Sequence, residues 1–322
     1  MAIFIGHTSA LEYWSGHDRE PWHELTQAIP RPGDTPSPQN VAVALHHEIN
    51  LPMHVFVARA EDRRNSKDVK FHVTQSIPRR SFLKLEKNVY LSTPEACFLQ
   101  LANNLCFEDL ILVGLELCGF YGTRRTHETD NRGKSSTMES RKPRMTPRSL
   151  AAYLQRAERI HGIRKATKAA RHIVAGSASP MESALVSLLR LPNTCGGYDL
   201  PKPLLNHEVK LSQRNRLKMP TATTGVLRPD LCWPREKLVI EYDSDLFHSG
   251  VEKLNRDSRR RAILELEGYH VISVTKKQLY GEIAFGEVAK ATARYLDCRI
   301  RIRTKDFESR QHVLRKKALG IS

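Results

Sequence analysis

Two acidic residues, Asp230 and Glu241, lie in neighbouring apolar segments and are spaced so that they could bind one metal ion. The stretch 234–237 between the segments is predicted to form the turn of a hairpin. With that turn, partner residues have numbers that sum to 471, so Asp230 faces Glu241 with Cβ atoms roughly 5 Å apart. Facing carboxylates in apolar strands are destabilising unless a proton or a cation lies between them. A register slip of one residue would instead place the two acids on opposite faces.

A hard divalent cation, Mg²⁺ or Mn²⁺, is the simplest resolution, because Mg²⁺ prefers one or two carboxylates together with water and substrate phosphate. Such a metal lowers the pKa of a bound water and stabilises charge on phosphate oxygens. The pair therefore predicts hydrolysis of phosphodiester bonds. The same register places Arg228 opposite Asp243, so Asp243 is either the ion-pair partner of Arg228 or a part of the metal site.

The elements that must position these acids follow one another in the order α-β-β-β-α-β. Ser179 is a predicted N-cap and Pro180 a predicted first helical residue, and Gly268 is predicted to end the second helix. Hydrophobic periodicity defines the remaining bounds. The predicted elements are a helix from 180, strands over 205–211, 225–233 and 237–243, a helix over 251–267 and a strand over 270–275.

This arrangement resembles the PD-(D/E)XK nuclease superfamily, and within it the branch of the very-short-patch-repair (Vsr) endonucleases. Domains of that branch carry an SPxE helix, a DxxxP strand, an ExD strand followed by a histidine, and an RDxxRxxxLxxxG helix. The corresponding residues of this chain, in the same order, are Ser179–Glu182, Asp230–Pro234, Glu241–Asp243, His248 and Arg256–Gly268. The resemblance implies a restriction-endonuclease-like core over about a third of the chain.

The resemblance also implies roles for the acids. Asp230 and Glu241 would hold the metal, with the Tyr242 carbonyl as a third ligand. Glu182 would reach the site from its helix. Asp243 stands where the wider superfamily has a lysine, as it does in the closer branch, so a metal ion or a histidine has to activate the water.

Three further residues receive roles from the same resemblance. His248 is a candidate for proton transfer, because imidazole titrates near neutral pH. Arg256 and Arg260 would contact phosphate or brace the acids. Ser244 replaces a glycine that usually follows the ExD motif.

Each of these residues also has a purely structural interpretation. Ser179 and Glu182 fit an S-x-x-E capping box. His248 is consistent with an ordinary loop histidine. Arg256 and Arg260 lie four residues apart, and acids at 252 and 257 would allow a surface ion-pair ladder.

A basic region separates this domain from the first part of the chain. Residues 121–175 contain fourteen Lys and Arg against four acids, a local charge of +10. The stretch 121–148 is predicted to be a flexible linker. The helix after it presents basic residues that either form a solvated face or track phosphates: Arg164, Lys165, Lys168 and Arg171.

Residues 1–120 are predicted to form a smaller mixed α/β domain of unknown role. Strands are expected over 53–58, 69–73 and 89–91, followed by a pair of helices within 96–117. The order of these elements and the helix start at 92–95 resemble the AbiEi-type antitoxin domains of bacterial abortive-infection systems. The domain organisation is therefore 1–120, a basic linker and helix over 121–175, and a nuclease-like domain with a basic tail over 176–322.

Composition limits the classes of function. The chain has 322 residues, 40% hydrophobic and 27% charged, and a net charge of +16, which favours a polyanionic partner, nucleic acid first. The resemblance to the nucleases implies DNA ahead of RNA. No apolar stretch approaches the roughly 18 residues that a membrane span requires, and no secretory signal is evident, so a cytoplasmic location is expected. Six cysteines without a CxxC pair argue against a zinc site.

The sequence thus predicts an α/β protein that acts as a Mg²⁺-dependent (or Mn²⁺-dependent) bacterial endonuclease in defence or a toxin-antitoxin system. The main alternative is a non-catalytic nucleic-acid-binding regulator of antitoxin type, in which a nuclease-like fold serves as a platform. A structural protein that binds ribosomal RNA would fit the charge but would leave the acidic pair unexplained.

Overall fold

A computed structural model describes residues 1–16, 25–33, 35–43, 49–74, 76–130, 133–216, 225–243 and 251–321. The chain forms two compact units, Met1–Ile173 and Val174–Ser322. Both units mix helices and strands, so the predicted α/β class is confirmed. Within the described ranges, no helix has both the length and the apolar character needed to cross a membrane.

A six-stranded sheet forms the centre of the first unit. Its strands are β1 (Ile3–Ile5), β2 (Leu25–Thr26), β3 (Met53–Val57), β4 (Val69–Val73), β5 (Phe82–Glu86) and β6 (Val89–Ser92). They lie in the order β2-β5-β6-β1-β3-β4. The short N-terminal strand β1 is central, because it pairs in parallel with β6 and antiparallel with β3. Phe4, Phe56 and Phe82 pack together on this sheet.

Helices cover the sheet of the first unit. They are α1 (His7–Gly16), α2 (Pro38–Val43), α3 (Pro94–Leu101), α4 (Phe107–Leu117), α5 (Pro147–Arg156) and α6 (Ile163–Ala170). Thr93 caps α3 by accepting a hydrogen bond from the Ala96 amide, and Pro94 occupies the first turn. The break between α3 and α4 falls where the sequence predicts it, around residues 103–104.

The stretch predicted to be a flexible linker contains a β-hairpin instead. Strands β7 (Tyr121–Asp130) and β8 (Gly133–Ser140) pair antiparallel, so the prediction of a linker is wrong for 121–140. Tyr121 is buried, and a Cβ at Gly122 would lie 2.1 Å from the Ser15 carbonyl oxygen. The hairpin is therefore packed against α1. Its threonines and serines favour a strand without the apolar alternation by which strands are recognised.

A four-stranded sheet forms the centre of the second unit. The strands of this unit are β9 (Leu204–Leu205), β10 (Val209–Lys210), β11 (Val226–Leu227), β12 (Leu231–Trp233), β13 (Leu238–Asp243) and β14 (His270–Thr275). The sheet has the order β14-β13-β12-β9, while β10 and β11 form a separate pair. Two of the predicted strands are therefore each divided in two. Asp230 lies in the break between β11 and β12, directly before the first residue of β12.

The helices of the second unit are α7 (Pro180–Arg190), α8 (Gln213–Arg216), α9 (Val251–Leu266), α10 (Lys276–Tyr280), α11 (Glu282–Tyr295) and α12 (Phe307–Leu319). The region predicted to be a basic tail thus ends in a packed helix. Leu314 and Arg315 of α12 are buried, and the Arg315 guanidinium donates to the Leu279 carbonyl oxygen at 2.5 Å. A buried arginine interrupts the apolar pattern from which the helix could have been predicted.

One hydrophobic cluster supports the strands that carry the acids. Ile263 and Leu264 of α9 pack with Cys232 of β12 and Val239 of β13. The last three of these side chains are fully buried. The position of Asp230 and Glu241 therefore depends on the packing of α9 against the sheet.

Candidate active site

The hairpin that carries the acidic pair has the predicted register. Leu231 pairs with Ile240, and Trp233 pairs with Leu238. The residues between β12 and β13 form the predicted turn. The observed pairs end at Leu231 and Ile240, and the Asp230 carboxylate, just before β12, contacts the strand that carries Glu241 through the Tyr242 amide.

Asp230 is held in place by the backbone of the neighbouring strand. Its Oδ2 atom accepts a hydrogen bond of 2.7 Å from the Tyr242 amide. Its own carbonyl oxygen accepts from the Asn206 amide at 3.1 Å. The strand that carries Tyr242 thus fixes the carboxylate of Asp230, and the segment that carries Asn206 fixes its backbone.

Glu182 lies in the first turn of α7 and is buried, with 7% of its surface exposed. Its carboxylate accepts from the Ala178 amide at 2.8 Å, from the Ser179 hydroxyl at 3.0 Å and from the Asn206 amide group at 2.7 Å. Ser179 caps the helix by accepting from the Glu182 amide. The capping interpretation is therefore correct for Ser179, and the same geometry directs Glu182 towards the segment before β12.

The three acids interact through space. Burial and the charges of Glu182 and Glu241 together raise the pKa of Asp230 to about 7, against the opposing effects of the Tyr242 amide and the Arg260 guanidinium. Burial also raises the pKa of Glu182, against its three hydrogen bonds. The structure thus brings Glu182, Asp230 and Glu241 together, and negative charge at this site is only partly compensated.

Arg260 of α9 braces one of the acids. Its Nε atom donates to Glu241 Oε1 at 2.7 Å, and both side chains are partly exposed. Its Nη2 atom donates to the Arg228 carbonyl oxygen. Of the two predicted roles, phosphate contact and bracing, the structure supports bracing.

Other predicted site residues lie at the edge of this cluster or outside the described residues. Arg228 forms an ion pair with Glu208 at 2.5 Å, a partner that the sequence did not predict. Asp243 is the last residue of β13 and pairs with Thr275 of β14. Ser244 and His248 lie outside the described residues, as does the side chain of Arg256.

The sequence did not predict a role for Asn206, although this residue connects both acidic segments. Its side chain donates to the Gly176 carbonyl and to Glu182, while its amide donates to Asp230. Asn206 has a φ of 49°, a conformation that asparagine tolerates better than most residues. An asparagine directly after a short apolar strand was the available signal.

The donor set fits a hard cation that takes two carboxylates. The Glu182 carboxylate already accepts three hydrogen bonds from protein groups, so it is better suited to holding the site than to binding a metal directly. Asp230 and Glu241 remain as oxygen donors, and a cation between them would offset the burial and the negative charges that raise the pKa of Asp230. Within the described part of the chain, no group of three or more His, Cys, Asp and Glu could hold a metal ion. Two carboxylates are within the usual number for Mg²⁺.

The predicted basic helix is α6, in the first unit. Arg164, Lys168 and Arg171 are exposed and lie at spacings of four and three residues, while Ala166 and Ala169 are buried. Lys165 is different, because its Nζ atom donates to the Leu105 carbonyl at 2.8 Å. Three of the four predicted residues therefore form one exposed cationic face.

Comparisons with models of protein families, with curated proteins and with solved structures find no match to this chain.

Proposed function

We propose that this protein is a cytoplasmic metal-dependent endonuclease that hydrolyses phosphodiester bonds, most readily in DNA. The observation that carries the proposal is the cluster of neighbouring acids around Asp230, in which burial and the charges of Glu182 and Glu241 together raise the pKa of Asp230 to about 7. The motif resemblance to Vsr-like members of the PD-(D/E)XK superfamily supports the same activity. A restriction-endonuclease-like core in the second unit is part of this proposal.

In this mechanism the protein supplies position and charge. Asp230 and Glu241 would hold Mg²⁺, which when bound supplies a water of lowered pKa and stabilises charge on the phosphate. Arg260 orients Glu241. Asn206 and the Tyr242 amide fix Asp230.

The exposed face of α6 would bind the phosphate backbone of the substrate. Lysine and arginine contacts of this kind give affinity without sequence specificity. The proposal for DNA rests on the basic charge of the chain and on the resemblance.

Incubation of the purified protein with Mg²⁺ or Mn²⁺ and nucleic acid tests the proposal. We expect cleavage of supercoiled plasmid that requires the metal and stops with EDTA. If single- and double-stranded DNA and RNA all stay intact with either metal, the proposal fails. Binding to DNA without any cleavage would favour the regulator of antitoxin type.

Metal affinity is expected to depend on pH. Because the pKa of Asp230 is raised to about 7, its carboxyl is mostly protonated at pH 6 and mostly charged at pH 8. A metal binds the charged form, so Mn²⁺ affinity should rise about tenfold between these values, with release of a proton. Calorimetry in buffers of different ionisation enthalpy measures both effects. An affinity that is the same at pH 6 and pH 8 would contradict this prediction.

Neutralising the face of α6 should weaken DNA binding in a salt-dependent way. The variant changes Arg164, Lys168 and Arg171 to glutamine. For this variant we expect the plot of the logarithm of the association constant against the logarithm of the salt concentration to become less steep, its slope changing by about 2 to 3 towards zero. Fluorescence anisotropy with a duplex in EDTA measures this slope. The matched control changes Lys67, Lys84 and Lys87, which are exposed in the same unit, to glutamine. Equal slopes in the two triple variants would rule out a specific role for α6.

A further inference from the structure

The first unit contains a cavity of about 690 Å³ that the proposed nuclease activity does not use. Residues from β3, β4, α3 and the segment before α6 line it. Cavities of this volume are typical of sites for small molecules. The composition of its wall indicates the class of molecule.

The charged residues of the wall are cationic. These residues are Arg63 and Arg159. The described residues that line it include no aspartate or glutamate. Burial lowers the pKa of His72 to about 4, and the positive charges of Lys70 and Arg63 contribute to this shift. The cavity is therefore suited to an anion.

A second part of the wall is apolar and aromatic. Phe56, Ile77 and Leu99 line it. The ring of His72 stacks on that of His7 with centroids 3.8 Å apart, and the Phe56 ring lies 5.3 Å from His7. Burial lowers the pKa of His7 to about 3, with the neighbouring histidines and Lys70 adding to the shift, so both rings are uncharged at neutral pH. Uncharged stacked rings suit a planar ligand.

The wall also offers polar groups for recognition. Asn103 and Asn104 line the cavity, and both residues are exposed. His7 is buried, with 6% exposed, and its Nδ1 atom has no hydrogen-bond partner among the described residues. Buried polar atoms normally have a partner. Asparagine amides pair well with the edges of nucleobases.

A metal site does not explain the histidines. His72 Nε2 and His54 Nδ1 are hydrogen-bonded to each other at 2.9 Å, and His7 contacts His72 face to face. One ring nitrogen of His72 and one of His54 are therefore paired with each other. No metal-holding group of His, Cys, Asp and Glu is found in the described ranges.

We propose that this cavity binds a small nucleotide, with the phosphate paired to Arg63 and Arg159 and the base against the apolar and aromatic wall. A nucleotide combines the three properties that the wall selects: negative charge, a flat ring and a polar edge. The site is separate from the acidic cluster of the second unit. Its role does not depend on the nuclease activity.

Calorimetry on the full chain in EDTA tests this inference. The probes are the four ribonucleoside monophosphates, the matching nucleosides and inorganic phosphate. We expect at least one monophosphate to bind with a Kd below 1 mM, which corresponds to a binding free energy of about −4 kcal/mol. It should bind at least tenfold more tightly than its nucleoside or inorganic phosphate alone. Phosphate binding as tightly as the monophosphates, or no monophosphate binding below 1 mM, would overturn the proposal.

Variants locate the binding. Changing Arg63 and Arg159 to glutamine should weaken nucleotide binding at least tenfold. Arg79 and Arg80, which are exposed in the same unit, provide the control pair and should leave it unchanged. Equal binding in both double variants would place the nucleotide elsewhere and refute the site. Because EDTA removes divalent metals, the result is independent of the outcome at Asp230 and Glu241.

Discussion

Replacing Asp230 with asparagine should abolish metal-dependent cleavage and, at the same time, make the metal-free protein more stable at pH 8. Asparagine has nearly the same shape and its side-chain oxygen can still accept from the Tyr242 amide, but it carries no charge. Loss of a metal ligand should reduce the rate of plasmid cleavage by at least about 100-fold, which corresponds to about 2.7 kcal/mol. Cleavage rates at saturating Mn²⁺ measure this loss.

The gain in stability follows from the direction of the pKa shift. The pKa of Asp230 is raised from 3.8 to about 7 in the folded protein, so the folded state binds the proton more strongly than the unfolded state between these values. Stability is therefore lost as pH rises from about 4 to about 7. The full shift would correspond to about 4 kcal/mol, and because Asp230 is partly exposed we expect about 1 to 3 kcal/mol. Asparagine does not titrate and avoids this loss.

Urea denaturation in EDTA at pH 4 and pH 8 measures the effect. The difference between Asp230→Asn and the wild type should be small at pH 4 and large at pH 8. Glu236→Gln is the control, because Glu236 is exposed in the turn of the same hairpin and should change neither cleavage nor stability. If the variant is less stable than the wild type at pH 8, the charged carboxylate of Asp230 stabilises the folded protein, and the prediction is wrong.

Truncating Leu264 should strongly destabilise the second unit. Leu264 is fully buried and packs with Cys232 and Val239 of the strands that carry the acids. Leu264→Ala is expected to cost about 2 to 5 kcal/mol, because it removes buried methyl groups and leaves a cavity. Urea denaturation of the variant and the wild type measures the cost.

The same helix offers a matched control. Leu266 is two residues away and 55% exposed, so Leu266→Ala should change stability by no more than about 0.5 kcal/mol. Similar losses in the two variants would contradict the orientation of α9 described above. They would also contradict the inference that the packing of α9 holds Asp230 and Glu241 in position.

Local signals were sufficient to predict the framework of the candidate site. The turn between β12 and β13 fixes which residues face each other, because a two-stranded ladder admits one partner for each residue once its turn is set. The register of the hairpin, from Leu231 with Ile240 to Trp233 with Leu238, could therefore be predicted from the sequence. Ser179 was recognisable as an N-cap because capping depends on residues three positions apart.

Contacts between distant segments were not predictable in this way. Asn206 donates to Glu182 and Asp230 from a bend that divides one predicted strand, and no local pattern marks those partners. Arg228 pairs with Glu208 because β10 and β11 form their own ladder, which the prediction of unbroken strands excluded. Hairpin β7–β8 was missed for a different reason, since its residues are polar and its packing surface is provided by α1.

The most direct test of the central claim combines metal binding and catalysis in the same samples. Mn²⁺ binding is measured by calorimetry for the wild type and for the double variant Asp230→Asn, Glu241→Gln, and both are assayed on supercoiled plasmid. We predict that the wild type binds Mn²⁺ and nicks plasmid and that the double variant, still folded, does neither. A wild type that binds DNA while neither metal binding nor cleavage depends on these two acids would contradict the account.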